Sequence, residues 1–145
     1  MRISIGSDHA GFEQKQLLAD YLAQEGHEVI DCGPDDDERV DYPDYAKAVC
    51  EKVASGHASF GVLVCGTGIG MAIAANKVCG IRAANIVRED FAALAREHND
   101  ANVITLSGRF VTFDENRKIL DAFLSTAFGG GRHAGRVATI MALEG

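Results

Sequence analysis

Short segments rich in β-branched residues alternate with longer amphipathic segments along the chain, and this alternation restricts the possible folds most strongly. Five segments are predicted to be strands, namely residues 2–6, 28–32, 60–65, 81–86 and 102–106. Six segments are predicted to be helices, namely residues 12–25, 44–54, 71–78, 89–97, 114–125 and 135–143. Repeated strand–helix units form a parallel sheet with helices on both faces. We therefore predict an α/β fold, a Rossmann-like three-layer αβα sandwich with a five-stranded parallel sheet and a C-terminal helical arm.

Length and charge narrow the range of functions. Residues 1–145 suit one domain with a sizeable core. The net charge of -7 argues against a nucleic-acid partner, which would require a basic surface. No apolar run approaches the ~20 residues that span a bilayer, so no membrane partner is expected. None of the four cysteines forms a C-x-x-C pair, so no metal site is indicated. We expect a reduced, cytoplasmic enzyme or binding protein.

A glycine-rich turn follows the most apolar predicted strand, at the end of the sheet where this fold binds ligands. Its sequence from Cys65 to Gly70 is C-G-T-G-I-G, and glycines there allow backbone N–H groups to converge on an anion. Three known motifs do not fit. A dinucleotide-binding loop would need glycine at position 71, and a cysteine phosphatase would need arginine there, but the residue is Met71. A Walker loop would need Gly-Lys-Ser/Thr, which the chain lacks.

The remaining interpretation places Cys65 beside a cluster of backbone donors. A helix N-terminus favours the thiolate form of a cysteine, and the same donors can stabilise an oxyanion. A base beside such donors suits proton abstraction next to a carbonyl group. The alternative is that Cys65 is a small buried apolar residue and that the glycines only pack a helix against a strand. Spacing alone leaves both interpretations open.

Three other polar groups flank the predicted sheet. Asp8 and His9 follow the first strand, so this fold places them near the turn, although Asp8 could instead cap the helix that follows. His98 ends a helix, where a histidine often has a purely structural role. Arg132, His133 and Arg136 bring potential cations together on the C-terminal arm, which suggests a phosphate clamp. A solvated helix start or an interface salt bridge is the alternative for this group.

Seven segments together resemble the ribose-5-phosphate isomerase B family, which belongs to a wider group with galactose-6-phosphate isomerase subunits. The resemblance covers essentially the whole chain and is carried by residues 6–12, 41–43, 65–70, 74–77, 80–83, 98–102 and 130–133. It implies interconversion of ribose 5-phosphate and ribulose 5-phosphate in the pentose phosphate pathway, through an enediolate and without metal or cofactor.

The sequence departs from the family pattern at two positions. Ser7 replaces a cysteine that is common before Asp-His, and position 69, where some relatives carry a catalytic carboxylate, is Ile69.

The resemblance also implies catalytic roles. Cys65 would be the base that moves a proton between C1 and C2, and Thr67 would orient substrate oxygens or assist the transfer. His98 would be the acid that opens the furanose ring, with Asp8 and Tyr42 in supporting roles. Further substrate contacts are implied for the backbone amides of Gly66, Gly68, Ile69 and Gly70, for Asn99 and Arg109 at sugar oxygens, and for His9, Arg132, Arg136 and, more weakly, His133 at the phosphate.

Members of the family are dimers and sometimes tetramers, and their C-terminal arm reaches toward the neighbouring subunit. Arg132 and Arg136 are therefore expected to serve the site of the other protomer in a homodimer or tetramer. One alternative function is isomerisation of six-carbon sugar phosphates, such as allose or galactose 6-phosphate, or of rare free sugars. Another is a non-catalytic sensor of phosphorylated metabolites, which would need neither Cys65 nor His98.

Overall fold

Five parallel strands form one sheet in the order β2-β1-β3-β5-β4. The structure, a computed structural model, describes residues 1–145. The strands are β1 (Arg2–Ser7), β2 (Glu28–Asp31), β3 (Phe60–Cys65), β4 (Ala83–Asn85) and β5 (Val103–Ser107). Each successive strand is reached through a helix, as parallel neighbours require.

Helices cover both faces of this sheet. They are α1 (Phe12–Gln24), α2 (Tyr42–Ala54), α3 (Ile69–Ala75), α4 (Glu89–Asn99), α5 (Phe113–Ser125) and α6 (Arg132–Ala142). Buried side chains of α1, α4 and α5 form one apolar cluster against the sheet, and those of α2 and α3 form the other. The predicted three-layer α/β sandwich is thus confirmed. None of the helices is long and apolar enough to cross a membrane.

The boundaries of several elements differ from the predicted ones. Helix α2 begins at Tyr42 instead of residue 44, because Pro43 fits the first turn of a helix. Helix α3 begins at Ile69, two residues before the predicted start at 71, and ends at Ala75, three residues before the predicted end at 78. Strand β4 is limited to the three residues that pair with β5 at the sheet edge.

The C-terminal arm also differs from the prediction. Helix α6 begins at Arg132, three residues before the predicted start at 135, so Arg132 and His133 belong to its first turn. Gly130 and Gly131 have φ of 63° and 55°, a region that glycine enters without steric cost, and they turn the chain into the helix. No side chain of α6 is buried, so its whole surface is partly or fully open to solvent.

Parallel register brings the carboxyl ends of the three central strands together. Ser7 of β1 lies beside Val64 of β3, and Cys65 of β3 lies beside Ser107 of β5. The segments that follow these strands therefore meet at one edge of the sheet, where a ligand of this fold would bind.

Candidate active site

Cys65 ends the central strand β3 and is 5% exposed. Its Sγ accepts a hydrogen bond from the backbone N–H of Gly68 over 3.2 Å. Gly68 has a φ of 85°, in the left-handed region that favours glycine, and this conformation turns its N–H back toward the sulfur. This hydrogen bond places the sulfur beside the backbone of the turn that follows the strand.

Two further backbone N–H groups of the turn after Cys65 have no partner, and one is already occupied. The N–H of Ile69 is the occupied one, because it donates to the hydroxyl of the exposed residue Thr67 over 3.1 Å. The N–H groups of Gly66 and Gly70 have no acceptor within the protein. They are available to an oxygen atom that carries developing negative charge.

The loop after β5 is fastened to this turn. The N–H of Gly108 donates to the carbonyl of Cys65 over 2.8 Å, and the N–H of Arg109 donates to the carbonyl of Gly66 over 3.1 Å. Ser107 adds a hydrogen bond from Oγ to the same Gly66 carbonyl over 2.7 Å. The guanidinium of Arg109 lies over the α-carbon of Gly66. If Gly66 had a Cβ atom, that atom would be 3.3 Å from Nη1 of Arg109. Arg109 is exposed and has no acidic partner, so it remains free for a ligand oxygen.

Asp8 and His9 reach the same edge from β1. Asp8 is nearly buried, and its Oδ1 accepts the N–H of Gly11 over 3.0 Å. Gly11 precedes α1, so the carboxylate closes the turn before the helix instead of capping it as the sequence suggested. Nδ1 of His9 accepts the N–H of Val40 over 3.3 Å. Since Nδ1 is an acceptor, the proton of a neutral His9 ring is on Nε2.

Tyr42 approaches from the start of α2 and packs against Gly70. A Cβ built on Gly70 would lie 2.7 Å from Cζ of the tyrosine ring and 3.0 Å from its hydroxyl oxygen. Any larger residue at position 70 would displace the ring. The ring and hydroxyl of Tyr42 therefore close one side of the turn.

The remaining predicted residues form a second group, where α4 ends and α6 begins. The rings of His98 and His133 stack with centroids 4.4 Å apart and planes at 16°. Arg132 and Arg136 are exposed on the same helix as His133 and form no ion pair. Desolvation lowers the pKa of His133, and the neighbouring side chains of His98, Arg132 and Arg136 lower it further. Such a group of cations is suited to a phosphate.

One chain does not bring these two groups together. Helix α4 ends at Asn99, just before the amino end of β5, whereas Cys65 is level with Ser107 at the carboxyl end. The five residues of β5 alone separate the two positions by about 13 Å along the strand. Cys65, Thr67, Asp8, His9, Tyr42 and Arg109 thus lie at one end of the sheet, and His98, Asn99, Arg132, His133 and Arg136 lie at the other.

The other cysteines lie outside the turn. Burial raises the pKa of Cys50 to about 12, and it also raises the pKa of half-buried Cys32. Cys79 is exposed. No three His, Cys, Asp or Glu side chains are arranged so that they could hold a metal ion.

Comparison with known proteins decides the family. The sequence profile of the Ribose/Galactose Isomerase family matches residues 3–140. The chain belongs to this family. A relative from Mycoplasma pneumoniae, described as a probable ribose-5-phosphate isomerase B, is 50% identical over 143 residues, which are 98% of this chain and 94% of the relative.

Solved structures of the ribose/galactose isomerase family agree with the fold. Ribose-5-phosphate isomerase B from Clostridium thermocellum is 49% identical, with a TM-score of 0.98 over 99% of this chain and 97% of that one. The enzyme from Mycoplasma genitalium, solved with bound ribulose-5-phosphate, is 47% identical, with a TM-score of 0.95 over 99% of this chain and 95% of that one.

Proposed function

We propose that this protein interconverts D-ribose 5-phosphate and D-ribulose 5-phosphate by proton transfer through an enediolate, as an intramolecular oxidoreductase of the pentose phosphate pathway. The observation that carries the proposal is the Sγ of Cys65, which accepts the N–H of Gly68 beside backbone donors that have no acceptor. Membership of the ribose/galactose isomerase family supports it, as does the Mycoplasma genitalium relative with bound ribulose-5-phosphate. The cytoplasm is the proposed compartment, since the four cysteines are free and sugar phosphates are intracellular metabolites.

The proposed reaction starts from the open-chain aldehyde. The thiolate of Cys65 removes the proton from C2, so that the C2–H bond breaks and an S–H bond forms. The electron pair of that C–H bond forms a double bond between C1 and C2, and the π pair of the carbonyl moves to the oxygen on C1. The result is the enediolate, whose charge the N–H groups of the turn stabilise. A proton passes between the two oxygens with the help of Thr67, and the thiol then returns its proton to C1. The product is the ketose, and Cys65 is again a thiolate.

The proposed substrate contacts use both groups of residues. His98 supplies the acid that opens the furanose ring, with Asp8 and Tyr42 supporting it. Asn99 and Arg109 bind sugar oxygens. The phosphate is held by His9 through Nε2, by Arg132 and Arg136, and by His133 to a smaller extent.

The site is completed by a second copy of the chain in the proposed homodimer. Helix α4 spans about 16 Å from the carboxyl end of the sheet, where it follows β4, to the amino end, where His98 lies. If the α4 helices of two copies pack antiparallel across a two-fold axis, each His98 comes level with the carboxyl end of the other sheet. Arg132 and Arg136 travel with it, because His133 stacks on His98.

Apolar side chains support this pairing. Ile73 of α3 is 62% exposed and Phe91 of α4 is 50% exposed. Ile69, Val87 and Leu94 are also large apolar side chains that are exposed in one chain. Large apolar side chains in water favour burial against a second copy, which is the expected outcome.

A substrate panel with a coupled ketose assay tests the proposed function. We expect the highest kcat/KM with ribose 5-phosphate, and much lower values with allose 6-phosphate, galactose 6-phosphate and free ribose. A preference for a six-carbon phosphate would change the substrate but leave the chemistry. Binding without turnover of any sugar phosphate would instead indicate a sensor and would refute the isomerase.

A further inference from the structure

A buried hydroxyl beneath the turn lies outside the set of predicted site residues. Thr105, in the middle of β5, is completely buried, and its Oγ1 donates to the carbonyl oxygen of Gly68 over 2.8 Å. The same carbonyl accepts the N–H of Ala72 over 3.1 Å, in the first turn of α3. The peptide group that follows Gly68 is therefore held from two directions.

Asn85 occupies the space next to this hydroxyl. It is the last residue of β4 and is paired in register with Thr105. Its Oδ1 lies 3.2 Å from Oγ1 of Thr105. A Cβ built on Gly68 would overlap Oδ1 of Asn85 and would approach the backbone of Leu106 to 3.1 Å. The amide of Asn85 therefore packs directly beneath the α-carbon of Gly68.

These contacts matter because glycine alone does not keep its conformation. A glycine populates positive and negative φ about equally in a free chain, whereas in the structure Gly68 has a φ of 85° and its N–H meets Sγ of Cys65. We propose that Thr105 and Asn85 are positioning residues that hold Gly68 in this conformation and so keep its N–H on the sulfur of Cys65. The catalytic consequence rests on the proposed isomerase function, whereas the effect on the sulfur does not.

The inference predicts a separation of kcat from KM. Thr105→Val keeps the shape of the side chain and removes only the hydroxyl, so the carbonyl of Gly68 loses one of its two donors. Loss of a hydrogen bond of this kind lowers the population of the aligned turn, and kcat falls about tenfold. KM stays within about twofold, because the proposed phosphate contacts are untouched. Thr105→Ser, which retains the hydroxyl, is expected to restore kcat.

A chemical readout reports on the sulfur itself. Iodoacetamide alkylation of Cys65 is followed at one fixed pH by peptide mass spectrometry, in a Cys79→Ser background that removes the exposed thiol. Because alkylation requires the thiolate, Thr105→Val is expected to slow it about tenfold, and Thr105→Ser to leave it near the parent rate. Thr126→Val is the matched control. It also removes one hydroxyl donor from a backbone carbonyl, that of Ala122 over 2.7 Å, but at the end of α5, and it should change neither rate.

Unchanged kcat and unchanged alkylation in Thr105→Val would overturn the inference. If Thr105→Val does not fold, Asn85→Ala provides a second test of the inference. Asn85 is exposed, so its substitution is expected to leave the protein folded. It should slow turnover and alkylation about threefold, the part of the effect that comes from packing beneath Gly68; no change in either rate would also refute the inference. If the parent protein does not isomerise ribose 5-phosphate, the proposed function fails, while the alkylation rates still decide the positioning role.

Discussion

His98 and His133 stack face to face with their ring centroids 4.4 Å apart, and this contact joins the end of α4 to the first turn of α6. It gathers the imidazoles and the guanidinium groups of Arg132 and Arg136 in one place. Desolvation, and then these positive charges, keep the pKa of His133 below the ordinary histidine value of 6.5. In the free protein His133 is therefore mostly neutral at pH 7.

Phosphate binding is expected to change that protonation state. A dianionic phosphate beside Arg132 and Arg136 favours the imidazolium form of His133, so the pKa of His133 rises on binding. The complex then binds more protons than the free protein, and by linkage the affinity falls as pH rises from the pKa of His133 in the free protein, which lies below 6.5, to its higher pKa in the complex. Calorimetric titration of the Cys65→Ala protein with ribose 5-phosphate, in buffers of different ionisation enthalpy, should show proton uptake. His133→Gln should reduce this uptake; an unchanged uptake would contradict the prediction.

Cys65→Ala should abolish isomerisation and leave substrate binding largely intact. Removal of the general base is expected to lower kcat by roughly 10²–10⁴-fold, because proton transfer at C2 loses its acceptor. The dissociation constant of ribose 5-phosphate, measured by calorimetry, should change by less than about threefold, since the phosphate contacts remain. Cys79→Ala is the control, because this thiol is exposed and lies between α3 and β4, outside the turn after Cys65. Near-normal turnover in Cys65→Ala would remove the proposed mechanism.

Mixed dimers test whether the two groups of residues meet across chains. Cys65→Ala and Arg136→Ala should each be inactive alone. When they are combined, each heterodimer has one site with both substitutions and one site with neither. Random exchange of subunits should therefore restore roughly a quarter of the wild-type activity. The activity is measured after co-refolding of the two variants, with each homodimer refolded alone as the control. Absence of recovery would mean that each site is built from one chain.

The α/β architecture could be predicted because a parallel sheet imposes its own pattern on the sequence, with apolar strands separated by amphipathic helices. The start of α6 could not, because Gly135 lowers helix propensity and the residues before it look like a hinge. That helix starts at Arg132 because Gly130 and Gly131 adopt positive φ and turn the chain first.

The candidate site was predictable only in part. Residues after the strands could be expected at one edge of the sheet, and Cys65, Asp8 and Tyr42 lie there. His98 lies at the opposite end within one chain, because α4 ends at Asn99 just before β5 begins. The sequence gives no sign of Thr105 and Asn85, because their roles depend on the register of β4 with β5 and on the path of the turn above them. An alternating pattern specifies which face a side chain occupies, but not which carbonyl it meets.

The buried ammonium of Lys15 is expected to stabilise the fold. Lys15 is 1% exposed, and its Nζ donates to both carboxylate oxygens of Asp31, over 3.0 and 3.1 Å, and to the carbonyl of Pro34 over 2.7 Å. These bonds tie α1 to the start of the loop that leads to α2. Lys15→Met fills most of the same volume but leaves the Pro34 carbonyl and Asp31 without their donor. The cost is limited because the side chain of Asp31 is 41% exposed to water, so we expect a loss of about 1–3 kcal/mol in the free energy of unfolding.

Urea denaturation at one fixed protein concentration measures this loss, since the stability of the proposed dimer would depend on concentration. Lys47→Met is the matched control, because Lys47 forms an exposed pair with Glu51 over 3.8 Å and should change the free energy of unfolding by less than about 0.5 kcal/mol. Equal midpoints for the two variants would show that the buried pair contributes no more than the exposed one. A larger loss in Lys15→Met, with the slope of the transition unchanged, would assign the difference to the native contacts of the ammonium and not to a change in the unfolded chain.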